Sequence, residues 1–143
     1  MGSFLFRLSG PDYSDESHEP PASFNIDDLK DEMMLLLCSR PFYSHGQIDN
    51  QDLQCSVINY GVSDVYDNQK SHEERCLELC ERVKVALFFF EPRINHPEVS
   101  IFSTSGTGCI FEIRSKYESV PFVFYVNWDS VYFHFTLCDE NNM

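Results

Sequence analysis

Residues 88–94, Phe-Phe-Phe-Glu-Pro-Arg-Ile (FFFEPRI), lie where a helical pattern of apolar residues stops and a strand pattern starts. The preceding segment opens on a capping box, Ser71 with Glu74, and its apolar stripe has helical spacing: Cys76, Leu79, Cys80, Val83, Ala86, Leu87 and Phe90. Pro92 is expected to end this helix, because proline disfavours helical geometry at the residue before it. The stretch therefore predicts a junction in which Glu91 and Arg93 flank the proline.

After Pro97 the apolar period changes from that of a helix to that of a strand. The predicted strands are carried by Val99 and Ile101, by Cys109, Phe111 and Ile113, by Phe122, Phe124 and Val126, and by Val131, Phe133, Phe135 and Leu137. Turns are expected at Gly106–Gly108 and Asn127–Ser130. The order predicts an α+β fold, two main helices packed on a mostly antiparallel four-stranded meander sheet, with edges that can accept a strand.

A first helix is predicted upstream. Asn25 is a suitable N-cap, and the apolar stripe consists of Ile26, Leu29, Met33, Leu36 and Leu37. Pro41 should stop the helix, which places Arg40 in its last turn. Between the helices, residues 42–70 have no clear period; a short strand or turn around Cys55–Ile58 is expected, with Val57, Ile58 and Tyr60 as candidates for burial.

The 143 residues suit one domain, predicted at residues 25–138. Residues 1–10 contain an apolar group, Phe4, Leu5, Phe6 and Leu8, which is either folded back on the domain or is a short docking segment. Residues 11–24 are rich in Pro, Ser and acidic side chains and are expected to be a tether. Residues 139–143 are expected to be a disordered tail.

The net charge of −13 argues against binding of nucleic acid or an anionic membrane surface, which both need basic residues. No signal peptide and no membrane-spanning run is apparent, so the cytoplasm is expected. The six cysteines then favour free thiols over disulfides.

One side-chain group has the residue types of a metal site: His72, Cys76 and Cys80 share a helix face. They would lie along a line of about 12 Å, too long for one ion. Core thiols are the better interpretation, and no metal or cofactor is expected. No nucleophile elbow or phosphate-binding loop is present, and a muramidase would need two placed carboxylates beside a sugar cleft.

Glu91 and Arg93 have two interpretations. They flank a helix end and point to water, or they are partly desolvated beside Phe88–Phe90 and Ile94. In the second case the Arg93 fork needs a carboxylate or carbonyl partner, from this chain or another.

These segments resemble a known family. ALFFFEPRI followed by Val-Ser-Ile, with SVINYGVSD (residues 56–64) upstream, is similar to the small wedge subunit of the bacterial type VI secretion baseplate, which is related to the sheath initiator of contractile phage tails. The opening GSFLFRLSG and the segment LLLCSRP (residues 35–41) resemble that family as well. The resemblance covers roughly residues 1–10 and 26–137.

The resemblance implies a structural, non-enzymatic protein in the bacterial cytoplasm, within a baseplate docked beneath the inner membrane. It implies partner-binding roles, toward larger wedge subunits, for Glu91, Pro92, Arg93, Asn59, Tyr60, Gly61 and Arg40. A sheet edge would take strands from sheath subunits. A regulatory anti-adaptor of the same fold, which binds a proteolysis adaptor, has a similar EPR segment and is the alternative.

Overall fold

The computed structural model describes residues 26–42, 50–64 and 69–138. The helices are α1 (Ile26–Cys38), the short α2 (Gln51–Gln54), a 3₁₀ turn (Val57–Asn59) and α3 (His72–Phe90). The strands are β1 (Asn95–Thr104), β2 (Gly108–Tyr117), β3 (Val120–Asp129) and β4 (His134–Leu137). The predicted segments 1–10, 11–24 and 139–143 lie outside the described residues.

The four strands form an antiparallel meander in the order β1-β2-β3-β4, which confirms the predicted α+β fold. One sheet face is buried against α1 and α3, and its residues lie opposite one another across the strands, as in Ile113 with Phe124 and Trp128 with Phe135. The core residues of this face are Val99, Cys109, Phe111, Ile113, Phe122, Phe124, Val126, Trp128 and Phe135. Because side chains alternate along each strand, the second face of the sheet is directed toward solvent. The rings of Phe102 and Tyr125 are in contact on that face.

The helix α1 buries the predicted stripe of Leu29, Met33, Leu36 and Leu37. It ends at Cys38, so the prediction that Arg40 lies in its last turn is wrong. Pro41 disfavours helical geometry at Arg40, and the Ser39 hydroxyl donates to the Leu35 carbonyl, 2.6 Å away, which satisfies a terminal helix group.

The helix α3 begins and ends as predicted. The Ser71 hydroxyl accepts from the Glu74 N–H, and the Glu74 carboxylate accepts from the Ser71 N–H at 2.9 Å. All seven predicted stripe residues are buried. Arg82 is buried among them, because it donates to the Ser63 carbonyl at 2.8 Å and to the Glu78 carboxylate at 2.6 Å.

The region between the helices agrees with its prediction in part. Of the predicted strand or turn around Cys55–Ile58, the turn is present at Cys55 and Ser56 and leads into the 3₁₀ segment, and no strand is formed among residues 50–64. Val57 and Ile58 are 57% and 42% exposed, so the expectation that they are buried is wrong. A three-residue 3₁₀ segment has no long apolar face. After it, Tyr60 is half-buried against the core and Val62 lies within the core.

The last strand is shorter than its apolar pattern suggested. Residues 131–133 form a turn, and only His134–Leu137 pairs with β3, while Trp128 and Asp129 extend β3 through the predicted turn at Asn127–Ser130. The Asp129 carboxylate accepts from the Val131 N–H at 2.7 Å and the Tyr132 N–H at 3.2 Å. This side-chain turn competes with strand pairing, so Val131 and Phe133 remain exposed.

Candidate functional site: the Arg93 cluster

The segment Glu91-Pro92-Arg93 forms a bidentate ion pair at the end of α3. The Nε of Arg93 donates to Oε1 of Glu91 at 2.7 Å, and its Nη2 donates to Oε2 of Glu91 at 2.9 Å. The same Nη2 donates to Oε2 of Glu32, on α1, at 3.0 Å. We call Glu32, Tyr60, Glu91 and Arg93 the Arg93 cluster.

The local sequence sets this geometry. Pro92 follows the C-cap, Glu91, whose φ of −123° and ψ of 74° are not helical, while its N–H still donates to the Leu87 carbonyl at 3.0 Å. The chain then turns into β1 within a few residues. Glu91 and Arg93, on either side of the proline, are therefore held against each other rather than spaced along a helix.

Both charged groups are removed from water. The side chain of Arg93 is 9% exposed and that of Glu91 is 3% exposed. The interpretation in which they point to water is therefore wrong, and the desolvated one is confirmed. The partner of the Arg93 fork comes from this chain. The hydrogen bonds to Glu91 raise the pKa of Arg93 above its ordinary value, and the charges of Glu91 and Glu32 add to this shift.

The upstream Asn59-Tyr60-Gly61 segment meets this junction. The ring of Tyr60 packs edge-on against that of Phe90, with centroids 5.3 Å apart. Burial raises the pKa of the Tyr60 phenol to about 12, and the charges of Glu32 and Glu91 contribute to this rise. Two segments that are far apart in sequence therefore meet at one place.

Gly61 is required by close backbone contact. Its φ is +126°, and a Cβ there would lie 2.3 Å from the Ser39 carbonyl oxygen. The next residue, Val62, donates its N–H to that same carbonyl at 3.0 Å. Asn59 donates its side-chain amide to the Gln54 carbonyl at 3.2 Å. This segment thus ties the end of α1 to the Arg93 cluster.

Arg40 lies at a different place. Its Nε donates to the Asp64 carboxylate at 3.0 Å, its Nη1 donates to the carbonyls of Leu37 and Ser39 at 3.2 Å, and its Nη2 donates to the carbonyl of Phe133. The side chain therefore joins the end of α1 to the turn before β4. Phe133 has a φ of 54°, a strained value for a bulky residue.

The partner-binding roles implied for these residues stay predictions. Of the EPR segment, Pro92 is half-buried and Glu91 is buried, while Gly61 is buried and Tyr60 is half-buried. Phe4, Leu5, Phe6 and Leu8 lie outside the described residues. Glu32 was missed by the sequence reasoning, because it lies 61 residues from Arg93 and no local pattern connects them.

The thiols near His72 belong to the core. Cys76 and Cys80 are buried, as predicted, and Cys109 from β2 lies beside them. Burial raises the pKa of all three thiols, so they stay protonated and unreactive. The His72 Nε2 is 3.2 Å from the Gly108 carbonyl oxygen. Among residues 26–42, 50–64 and 69–138, no three potential ligands are grouped to hold a metal ion.

Helices in the described part of the chain lack the long apolar run needed to cross a bilayer. No protein-family model, curated protein or solved structure matches the sequence.

Proposed function

We propose that this protein is a structural subunit of a type VI secretion baseplate wedge. It links the wedge core to the first ring of the contractile sheath by packing and strand addition, in the cytoplasm beneath the inner membrane. The proposal starts from the resemblance of the EPR and NYG segments. The observation that supports it is that both segments meet in the Arg93 cluster. The ring of Tyr60 packs against that of Phe90, and the charges of Glu32 and Glu91 raise the pKa of the Tyr60 hydroxyl.

The geometry of Glu91 favours a role without catalysis. A glycosidase needs a carboxylic acid that gives its proton to the leaving group, with a second carboxylate across the sugar. Both oxygens of Glu91 instead accept from the Arg93 guanidinium. The second carboxylate of the cluster, Glu32, accepts from the same guanidinium, so Arg93 bridges the two carboxylates.

Strand addition has two candidate edges, β1 and β4. The strand β1 has ten residues and follows directly after the Arg93 cluster, whereas β4 has four. Main-chain hydrogen bonds provide the affinity in strand addition, so the longer edge offers more donors and acceptors. Pro97 and two register shifts interrupt β1, and residues 98–101 between them keep a regular register that an added strand can follow. We assign the sheath-binding edge to β1.

Affinity purification of the tagged full chain from a cell expressing a type VI system tests the role. Larger wedge subunits and sheath subunits are expected to co-purify. Recovery of a proteolysis adaptor in their place would support the anti-adaptor alternative and overturn the proposal. Pro92→Ala should weaken wedge recovery, whereas Pro121→Ala, at an exposed proline of β3, should leave it unchanged.

The edge assignment has its own test. Consecutive strand residues point their N–H groups to opposite sides, so in a proline scan of 98–101 some substitutions remove outward donors only. Variants in that scan whose free energy of unfolding matches that of the wild type are carried forward. They are expected to block sheath polymerisation while wedge subunits still co-purify. Normal sheath growth with every stable β1 variant would contradict the assignment.

A further inference from the structure

The outward face of α3 exposes apolar side chains that the core does not use. Leu77, Val85 and Phe88 are 60%, 38% and 73% exposed. Their spacing along the helix places them on one side, opposite the buried stripe. With Glu81, which lies between Leu77 and Val85 on the same side, they form what we call the α3 outward stripe.

The charge around this stripe is negative. Glu73 and Glu74 are exposed at its N-terminal end, and the side chain of Glu81 is 66% exposed within it. The nearby cation Lys84 is already bound to Glu81 at 2.9 Å. The stripe therefore combines apolar contact area with a surplus of carboxylates, in a chain whose net charge is −13.

We propose that the α3 outward stripe docks an amphipathic helix of another protein, one that carries Lys or Arg beside its apolar residues. Backbone groups within α3 are hydrogen-bonded along the helix, so this face offers no strand pairing and binds through side chains alone. Leu77 to Phe88 spans about 16 Å, which is the length of three helical turns. Rows of side chains four apart pack into the grooves of a second helix.

The central carboxylate selects the chemistry of that helix. Covering the stripe removes Glu81 from water, and a desolvated carboxylate needs a compensating cation. Lys84 supplies one and remains at the margin of the stripe. A second cation, on the docked helix, pairs with the exposed Glu73 at the N-terminal end, whereas Glu74 is already held by the Ser71 N–H. This surface is separate from the Arg93 cluster and does not depend on the baseplate role.

Two synthetic peptides of the same composition test the proposal. Both contain Leu and Lys and have about 18 residues, but only one has its Leu residues at helical spacing. Binding to the full-length protein is measured by fluorescence anisotropy at roughly 150 mM salt, where long-range charge effects are screened. The amphipathic peptide is expected to bind and the scrambled one to bind far more weakly. Equal binding of both peptides would overturn the proposal.

Substitutions locate the binding surface. The double variant Leu77→Ala/Phe88→Ala is expected to bind the amphipathic peptide about tenfold or more weakly, as for anchors at an interface. Phe102→Ala, a control on the outer sheet face with an exposed ring, should bind like the wild type. Urea unfolding confirms that each variant is folded. Loss of binding in Phe102→Ala but not in the double variant would place the site elsewhere.

A charge-matched pair separates local from overall electrostatics. The variant Glu73→Gln/Glu81→Gln is expected to weaken peptide binding more than Glu98→Gln/Glu118→Gln, which removes the same charge from exposed residues of β1 and of the turn between β2 and β3. Equal weakening by the two variants would mean that only the net charge attracts the peptide. That result would overturn the assignment of the basic helix to α3.

Other occupants of the stripe give distinct results. If a second copy covers it, sedimentation of the wild type shows a dimer that Leu77→Ala/Phe88→Ala abolishes. If residues 4–8 of the same chain cover it, Phe4→Ser/Phe6→Ser raises the affinity for the amphipathic peptide. Either result would overturn docking of another protein. A monomer whose peptide affinity is unaffected by the Phe4 and Phe6 substitutions is the expected outcome.

Discussion

The ion pair of Glu91 and Arg93 adds little to the free energy of unfolding as a whole, but the loss of either member alone is strongly destabilising. A buried ion pair gains little over apolar residues of the same volume, because both charges lose their hydration. Removing one member is different, since the other remains buried without a partner. With the Glu91 side chain 3% exposed, this asymmetry determines what single substitutions in the EPR segment do.

Arg93→Ala is expected to lower the free energy of unfolding by about 3–5 kcal/mol, because it leaves the Glu91 carboxylate buried and unpaired. Urea denaturation measures the change. The control is Arg114→Ala, whose side chain is 59% exposed and paired with Glu112, and its effect should be about 0–1 kcal/mol.

The variant Arg93→Ala/Glu91→Gln completes the comparison. Removing the Glu91 charge is expected to recover part of the lost stability, so the two substitutions should not be additive. Equal, small effects of Arg93→Ala and Arg114→Ala would show that the ion pair at the end of α3 is solvated.

Tyr60 makes stability depend on alkaline pH. Its pKa is about 12 in the folded chain against an ordinary value of 10.0, so the folded protein keeps this proton when the unfolded chain has lost it. The stability it contributes is complete below pH 10 and is lost as pH rises through 12. The free energy of unfolding of the wild type should therefore fall more steeply over this range than that of Tyr60→Phe. The same pH dependence in both proteins would contradict the assignment.

At the scale of elements, the contact between the Asn59–Gly61 segment and the end of α1 is a backbone contact. The nearest atoms to a Cβ on Gly61 are backbone atoms of Ser39 and Arg40. A larger residue at this position therefore cannot be accommodated by moving a side chain. The position of Tyr60 against Phe90 depends on this contact, so the Arg93 cluster depends on a glycine outside it.

Gly61→Ala is expected to destabilise the protein by more than about 1 kcal/mol, from positive φ and the overlap with Ser39 together. The matched control is Gly106→Ala, because a Cβ on Gly106 meets nothing within 4 Å. Thermal unfolding compares the two variants. Similar melting temperatures would mean that the segment shifts away from α1 at no cost.

Apolar periodicity was sufficient to predict both main helices and the order of the strands, because each has one long buried face. It failed where a side chain competes with the backbone. Val131 and Phe133 continue the alternation of β4, yet the Asp129 carboxylate binds the N–H groups of Val131 and Tyr132 and holds a turn. An alternating apolar pattern is compatible with a strand, but it carries no information on side-chain hydrogen bonds that stabilise a turn at the same residues.

The candidate site was predictable only in part. The sequence placed Glu91 and Arg93 beside an aromatic run, and in one of its two interpretations the guanidinium needed a partner. It did not identify Glu32, because the contact depends on how α1 packs near α3. Arg82 was missed for a related reason: a charged residue within an apolar stripe is read as solvent-exposed, although Glu78, four residues before it, provides a partner.

At the scale of the whole molecule, both main helices cover one face of the sheet, and a strongly negative charge surrounds the fold. Self-repulsion of that charge opposes the compact state, most strongly when salt is low. The screening length falls from about 30 Å at 0.01 M to about 10 Å at 0.1 M. Apolar packing of the core must therefore offset this repulsion between surface charges.

Raising sodium chloride from about 0.01 M to about 0.1 M is expected to increase the free energy of unfolding, because repulsion among the 23 acidic residues is screened. The gain should be smaller in Glu98→Gln/Glu118→Gln, which carries less charge. Urea titrations at the two salt concentrations measure both. A decrease in wild-type stability with salt would show that attractive surface pairs outweigh the repulsion.

The burial of Glu91 and Arg93 changes how genetic results at these two positions should be interpreted. A cell carrying an alanine at either site would have a larger unfolded fraction, and proteases remove unfolded chains. A loss of function in such a cell would then result from missing protein and not from a broken contact with a partner. Immunoblotting for the amount of the protein has to precede any conclusion that these side chains contact a partner.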